Sequence, residues 1–152
     1  MAVRLINPPD HVTIPLYHHV AIATGNTQIH LAGQVAWDEN GALVADDLAG
    51  QVAQVYRNVA KGLAAAGATF HDVVRFTWYF AKWERSMYDE FLAGVDQASR
   101  EFDLPRPPLA AIGVDVLFEE GILVEAEVTA VVDRTDPHPT GAQQDDDRHA
   151  PA

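Results

Sequence analysis

From Ile122 to Val132 the chain places an aliphatic residue at every second position: Ile122, Val124, Ala126, Val128, Ala130 and Val132. Side chains along a strand point alternately to opposite faces, so this pattern describes one long strand with a wholly apolar face. Such a face must be covered, and the chain supplies two covers. Leu48, Val52, Val55, Val59, Leu63 and Ala66 recur at spacings of three and four, which is one face of a helix. Asp47 is placed to cap its start and Gly67 to stop it. Met87, Phe91, Val95, Ala98 and Phe102 form a second helical stripe, opened by Ser86 with Asp89 and ended before Pro105. Tyr17–Ala23, Gln28–Val35, Val73–Ala81 and Leu109–Val116 carry strand chemistry. Thr24-Gly25-Asn26-Thr27 predicts a hairpin turn between the first two of these, with further turns at Asp38–Gly41 and Glu119–Gly121. The expected order is ββαβαββ, an α+β fold in which two helices pack on one face of a mixed sheet.

The rest of the sequence narrows the class. A chain of 152 residues suits one domain with a core of its own. No run is apolar enough to cross a bilayer, and MAVRLINPPDHV lacks the apolar core of a signal peptide. The chain has no cysteine, which removes disulfides, a thiolate nucleophile and cysteine-ligated metals, and a cytoplasmic location is the simplest expectation. A net charge of −12 with only ten basic residues argues against nucleic acid as a partner. The domain is expected over residues 1–133. Residues 134–152, rich in Pro, Gln and Asp with Asp145–Asp147 in a run, read as a disordered acidic tail.

The familiar motifs of phosphate, zinc-protease and serine-hydrolase chemistry are absent. Adjacent His18 and His19 would point to opposite faces of a strand, so they do not form a chelating pair, and no metal is expected. The anomaly is the second face of the last strand, where Glu125 and Glu127 stand between Leu123 and Val131. Two readings stand. Either this is a solvated outer face, or another subunit covers it and Glu125 lines a cleft. In a cleft, desolvation raises a carboxyl pKa toward the range useful to a general acid/base.

Several segments resemble the RidA/YjgF family of enamine/imine deaminases. They are Tyr17, Leu31-Ala32-Gly33-Gln34-Val35, Asn58 with Leu63–Gly67, Asp72–Thr77, Tyr88 with Phe91, Leu104-Pro105, Pro107-Pro108 and Val124–Ala130, in that order over about residues 12–133. The resemblance implies a chorismate-mutase-like subunit in a homotrimer with clefts between subunits. It implies cofactor-free hydrolysis of reactive enamines and imines, such as 2-aminoacrylate, to ketones and ammonia. Glu125 then matches the family's cleft glutamate and Tyr17 its cleft tyrosine, while backbone near Gly33 and Ile112-Gly113 lines the pocket. There is one departure. The family's deaminases hold the substrate carboxylate with an Arg at the start of the penultimate strand, and the family's spacing puts Ala110 there, followed by Ala111. Arg106, in the preceding proline-rich loop, is the one nearby substitute. Loss of a desolvated charge-assisted pair costs about 2–5 kcal/mol, so an unusual substrate is expected.

Three readings follow: a RidA-like hydrolase of C–N intermediates, a pathway-specific isomerase or cyclase using the same cleft, and a non-catalytic trimer that binds a small metabolite. Ribonuclease activity, ascribed to some relatives, is the least compatible with the acidic charge.

Overall fold

The computed structural model describes residues 3–135. The tail expected over 134–152 therefore falls almost wholly outside the described residues. Strands β1 (Val3–Ile6), β2 (Val20–Ala23) and β3 (Thr27–Gln34) precede helix α1 (Leu48–Ala65). Strand β4 (Val73–Ala81), helix α2 (Met87–Ser99), β5 (Leu109–Val114) and β6 (Val124–Val132) complete the chain. The order is the expected one with an additional strand at the N-terminus.

Helix α1 begins and ends for the reasons its sequence suggests. Asp47 Oδ1 accepts from Gly50 N at 2.7 Å, and Gly67 takes φ +66°, which lets Ala68 N donate back to Leu63 O at 2.8 Å. Ser86 precedes α2 but makes no side-chain cap. The two helices approach closely because Gly94 has no side chain: a Cβ there would lie 2.6 Å from Ala49 O. Both cover a four-stranded mixed sheet in the order β3-β6-β4-β5, in which only β4 and β5 run parallel. Val124, Ala126, Val128, Ala130 and Val132 of β6 are buried beneath them with Phe76, Trp78 and Phe80 of β4.

Gln51 is the one buried polar side chain of the core among the described residues. Its amide donates to Ala45 O and Gly121 O at 3.0 and 2.8 Å and accepts from Leu123 N at 2.8 Å. It thereby fixes the start of β6 on α1. Gln51→Leu removes the partner of three backbone groups in part-buried hydrogen bonds and is expected to cost about 1–3 kcal/mol, measured as a lowered urea midpoint at unchanged slope.

The expected hairpin between β2 and β3 does not form. Beta-strand β2 pairs instead with β1, from Val3 opposite Ala23 to Ile6 opposite Val20, as a separate two-stranded sheet. A two-residue turn of the primed type needs positive φ, and neither Gly25 nor Asn26 has it. Asn26 is engaged elsewhere: its Nδ2 donates to Arg134 O at 2.7 Å and its Oδ1 accepts from Arg134 N at 3.0 Å, extending the β3–β6 ladder by side chain. The N-terminal segment is thus structural. Asn7 Oδ1 accepts from His19 N at 2.9 Å, while His19 Nε2 lies 2.6 Å from Val12 O.

Candidate active site on the open sheet face

The face of the sheet opposite the helices carries the polar chemistry. Register places Tyr79 of β4 directly beside Glu125 of β6, with Ile112 of β5 on its other side. The adjacent row is Glu127, Thr77 and Ala110. Farther along β6, Thr129 pairs with His30 and Arg75.

Glu125 is half-buried. Its carboxyl is held above the ordinary range first by desolvation and then by the neighbouring Glu127 charge. The desolvation has a visible origin. Ladder pairing between β3 and β6 shifts between Leu31 and Gln34, and this irregularity sets Gly33 under the Glu125 side chain. A Cβ built on Gly33 would occupy the position of Glu125 Oε1, so the carboxyl rests on bare backbone that only glycine leaves open. Glu127 is tethered: Tyr79 Oη donates to its Oε2 at 3.0 Å. That bond, foremost, raises the Tyr79 phenol above its usual value. The face therefore holds one carboxyl, Glu125, whose pKa is raised, beside a second, Glu127, that a phenol holds by a hydrogen bond.

Of the residues expected at the site, the structure brings Glu125 and Gly33 together. Ala110 lies on the same face, in the row of Glu127, and Ile112 in the row of Glu125 itself. Ala111 pairs with Trp78 and Gly113 with Phe80, so both belong to the alternate set of β5 positions. Tyr17 does not join them within the chain: its ring packs edge-on against His19 at 5.3 Å. Nor does Arg106. Its carbonyl accepts from His18 N at 2.9 Å, and it borders a hollow along α2 with Tyr88, Val95 and Leu104 rather than with Glu125. The sequence reading missed Tyr79 and Lys61. Strand alternation places Tyr79 on the outer face, but its partner strand is not legible from local sequence. Lys61 of α1 lines a groove of about 630 Å³ with Gly33, Gln34, Trp37 and Asn58. Among the described residues no three His, Asp or Glu side chains converge as metal ligands, and no helix is long and apolar enough to cross a membrane.

This architecture has relatives. A family model described as endoribonuclease L-PSP matches residues 11–132. The chain belongs to that family, the RidA/YjgF group. A RutC family protein of Pyrococcus abyssi is 32% identical over 111 residues, spanning 72% of this chain and 82% of that protein. The structure of YyfB from Yersinia pestis, a conserved Rid family protein of unknown function, superposes with a TM-score of 0.78 at 31% identity, covering 87% of this chain and 100% of that one. A YjgF/YER057c/UK114 family member from Mycobacterium tuberculosis gives 0.56 at 29% identity, with coverage of 76% and 86%. RidA/YjgF membership accounts for the mixed sheet and paired helices, and it leaves the chemistry of this member to its own residues.

Proposed function

We propose that this RidA/YjgF-family protein hydrolyses enamine or imine C–N bonds of a small substrate that lacks the usual carboxylate grip, with Glu125 as acid/base. The observation that carries the reading is the Glu125 carboxyl seated over Gly33, partly desolvated and beside a second, tethered carboxylate. A carboxylate so placed accepts a proton from water as the water oxygen bonds to the C=N carbon, and the nitrogen takes up a proton. The resulting carbinolamine collapses as Glu125 returns its proton to nitrogen and the C–N bond breaks; the hydroxyl hydrogen passes to solvent, replacing the proton that nitrogen drew from solvent at addition, so ammonia leaves and the ketone forms. An enamine enters the same path after protonation at carbon. No cofactor is required for any of these steps.

The site is proposed to be completed in a homotrimer in the cytoplasm, whose inter-subunit clefts cover Ile112, 42% exposed in the single chain, and Val131. Tyr17 would then orient substrate or water from a neighbouring position, and Ile112-Gly113 would line the pocket. A binding role without turnover is favoured by one feature, the apolar Ala110-Ala111-Ile112 run where a carboxylate anchor is expected. A relative of the same fold, Escherichia coli TdcF, has been solved with bound serine. Hydrolysis of RNA is not part of the proposal, because Glu125 and Glu127 on this face repel phosphate.

The experiment is ammonia release from freshly generated 2-aminoacrylate and from an imine without a carboxylate, for the wild type and Ala110→Arg. Wild type is expected to favour the second substrate, and Ala110→Arg to gain at least about tenfold on the first, the lower part of what a charge-assisted pair supplies. No ammonia above background from either protein on either substrate sinks the hydrolase reading. Gly33→Ala supplies a second prediction. Its methyl must displace the Glu125 carboxyl, and a misplacement of about 1 Å costs roughly 100-fold in kcat.

A further inference from the structure

Strand β3 ends the four-stranded sheet, and among the described residues its outer edge pairs with nothing. Natural proteins protect such edges with lysine, proline, bulges or brevity. Beta-strand β3 is eight residues long, reads TQIHLAGQ and carries neither a formal charge nor a proline; its one irregularity lies at its far end. Strand β2 has the same defect. It reads VAIA, pairs only with β1 among the described residues, and leaves Val20 and Ile22 36% and 42% exposed.

These two edges fit each other. Aligned antiparallel about Gly25-Asn26, as their sequence suggests, Ile22 falls opposite Ile29 and Val20 opposite Leu31. Ile29 and Leu31 are the half-buried β3 residues that pack against the core beneath α1, so the pairing continues the apolar face and covers four aliphatic side chains at once. Ala21 and Ala23 fall opposite His30 and Gln28 on the other face. Within one chain the pairing is prevented. Asn26 is tied to Arg134 by two hydrogen bonds. Gly25 is seated so closely on β6 that its missing Cβ would lie 2.6 Å from Val132 O. His18 N is bonded to Arg106 O at the far end of the β1–β2 unit.

We infer that β2 of one copy pairs with β3 of a second copy, a strand exchange hinged at Thr24–Asn26 that builds a continuous sheet across two chains. A local sequence that encodes a hairpin, a hinge held open and two complementary bare edges are together what exchange of an identical element requires. The same register, continued past β2, sets His18 and Tyr17 of one copy opposite Gly33 and Gln34 of the other. Tyr17, remote from Glu125 in the single chain, is thereby delivered to the Gly33–Glu125 site. This last step rests on the proposed function; the exchange does not.

The absence of cysteine makes the test clean. Ile22→Cys with Ile29→Cys, and separately Ala21→Cys with His30→Cys, are oxidised mildly and run without reductant. Neighbouring antiparallel pairs alternate between wide and close spacing, so one of the two double variants sits at the closer, bridge-forming position. The expected result is that most of one double variant migrates as covalent dimer or larger. Ile22→Cys protein refolded together with Ile29→Cys protein is expected to yield a mixed dimer that neither gives alone. A bridged monomer with consumed thiols would show β2 folded back on its own β3 and overturn the exchange. Free thiols in both double variants, with the circular dichroism of the wild type, would overturn it equally. Neither readout uses turnover, so loss of ammonia release leaves this result untouched.

Discussion

Glu125→Gln is expected to lower kcat for ammonia release by about 100-fold or more, the usual contribution of a positioned general acid/base, while leaving the thermal midpoint within a few degrees of wild type. Glutamine preserves the shape over Gly33 but neither accepts nor returns a proton. The pH profile separates this role from a structural one. As the base, Glu125 must be ionised, so activity rises with pH through its folded-state pKa, which lies above the ordinary carboxylate range because of desolvation first and Glu127 second. Glu127→Gln removes the second cause. It should move the rising limb to lower pH and leave the desolvation-driven part of the shift in place. Tyr79→Phe should act in the opposite sense and move the limb to higher pH: the Glu127 carboxylate loses its donor and its charge is less well screened from Glu125. A profile that ignores Glu127→Gln would mean that the titrating group is not Glu125.

The parts of the fold that were legible are those whose signals are local. Leu48 through Ala66 and Met87 through Ala98 announce helices by spacing, Asp47 and Gly67 mark the ends of the first, and Val124–Val132 announces a strand by alternation. Each depends on residues within a turn or two of each other. Thr24–Thr27 shows where that logic fails. Its composition favours a primed turn by a small margin, and two hydrogen bonds to Arg134, more than a hundred positions away, outweigh it. Strand β1 escaped notice for the same reason: Val3–Ile6 has too few residues to show a period, and its partner β2 alone defines it. At the site, Glu125 stood out because a carboxylate in an apolar strand is anomalous, and Gly33 entered through family resemblance. Tyr79 did not stand out. Alternation along VVRFTWYFA sets it on the face opposite Trp78 and Phe80, but only the register between β4 and β6 reveals that Glu125 and Glu127 stand beside it.

Trp78→Ala is expected to be the most damaging single truncation in the core. Trp78 is 0% exposed, with its ring 5.3 Å from Tyr56, 5.4 Å from Phe91 and 5.5 Å from Phe76. It therefore joins α1, α2 and β4, and removing it opens a cavity that three rigid aromatic neighbours fill poorly. The cost should be about 3–5 kcal/mol, a large share of the roughly 5–15 kcal/mol that holds a domain together, and a fall in Tm of about 10 °C or more. Trp78→Phe makes the argument sharper. The indole Nε1 of Trp78 is buried without a hydrogen-bond partner, and an orphaned donor costs about 1–3 kcal/mol. Phenylalanine gives up ring volume but deletes that penalty, so its net loss should be well under half that of alanine. Urea unfolding of the two variants decides the matter. If Trp78→Phe proves as damaging as Trp78→Ala, the indole N–H is satisfied in solution, and a buried water between α1 and the sheet becomes the physical explanation.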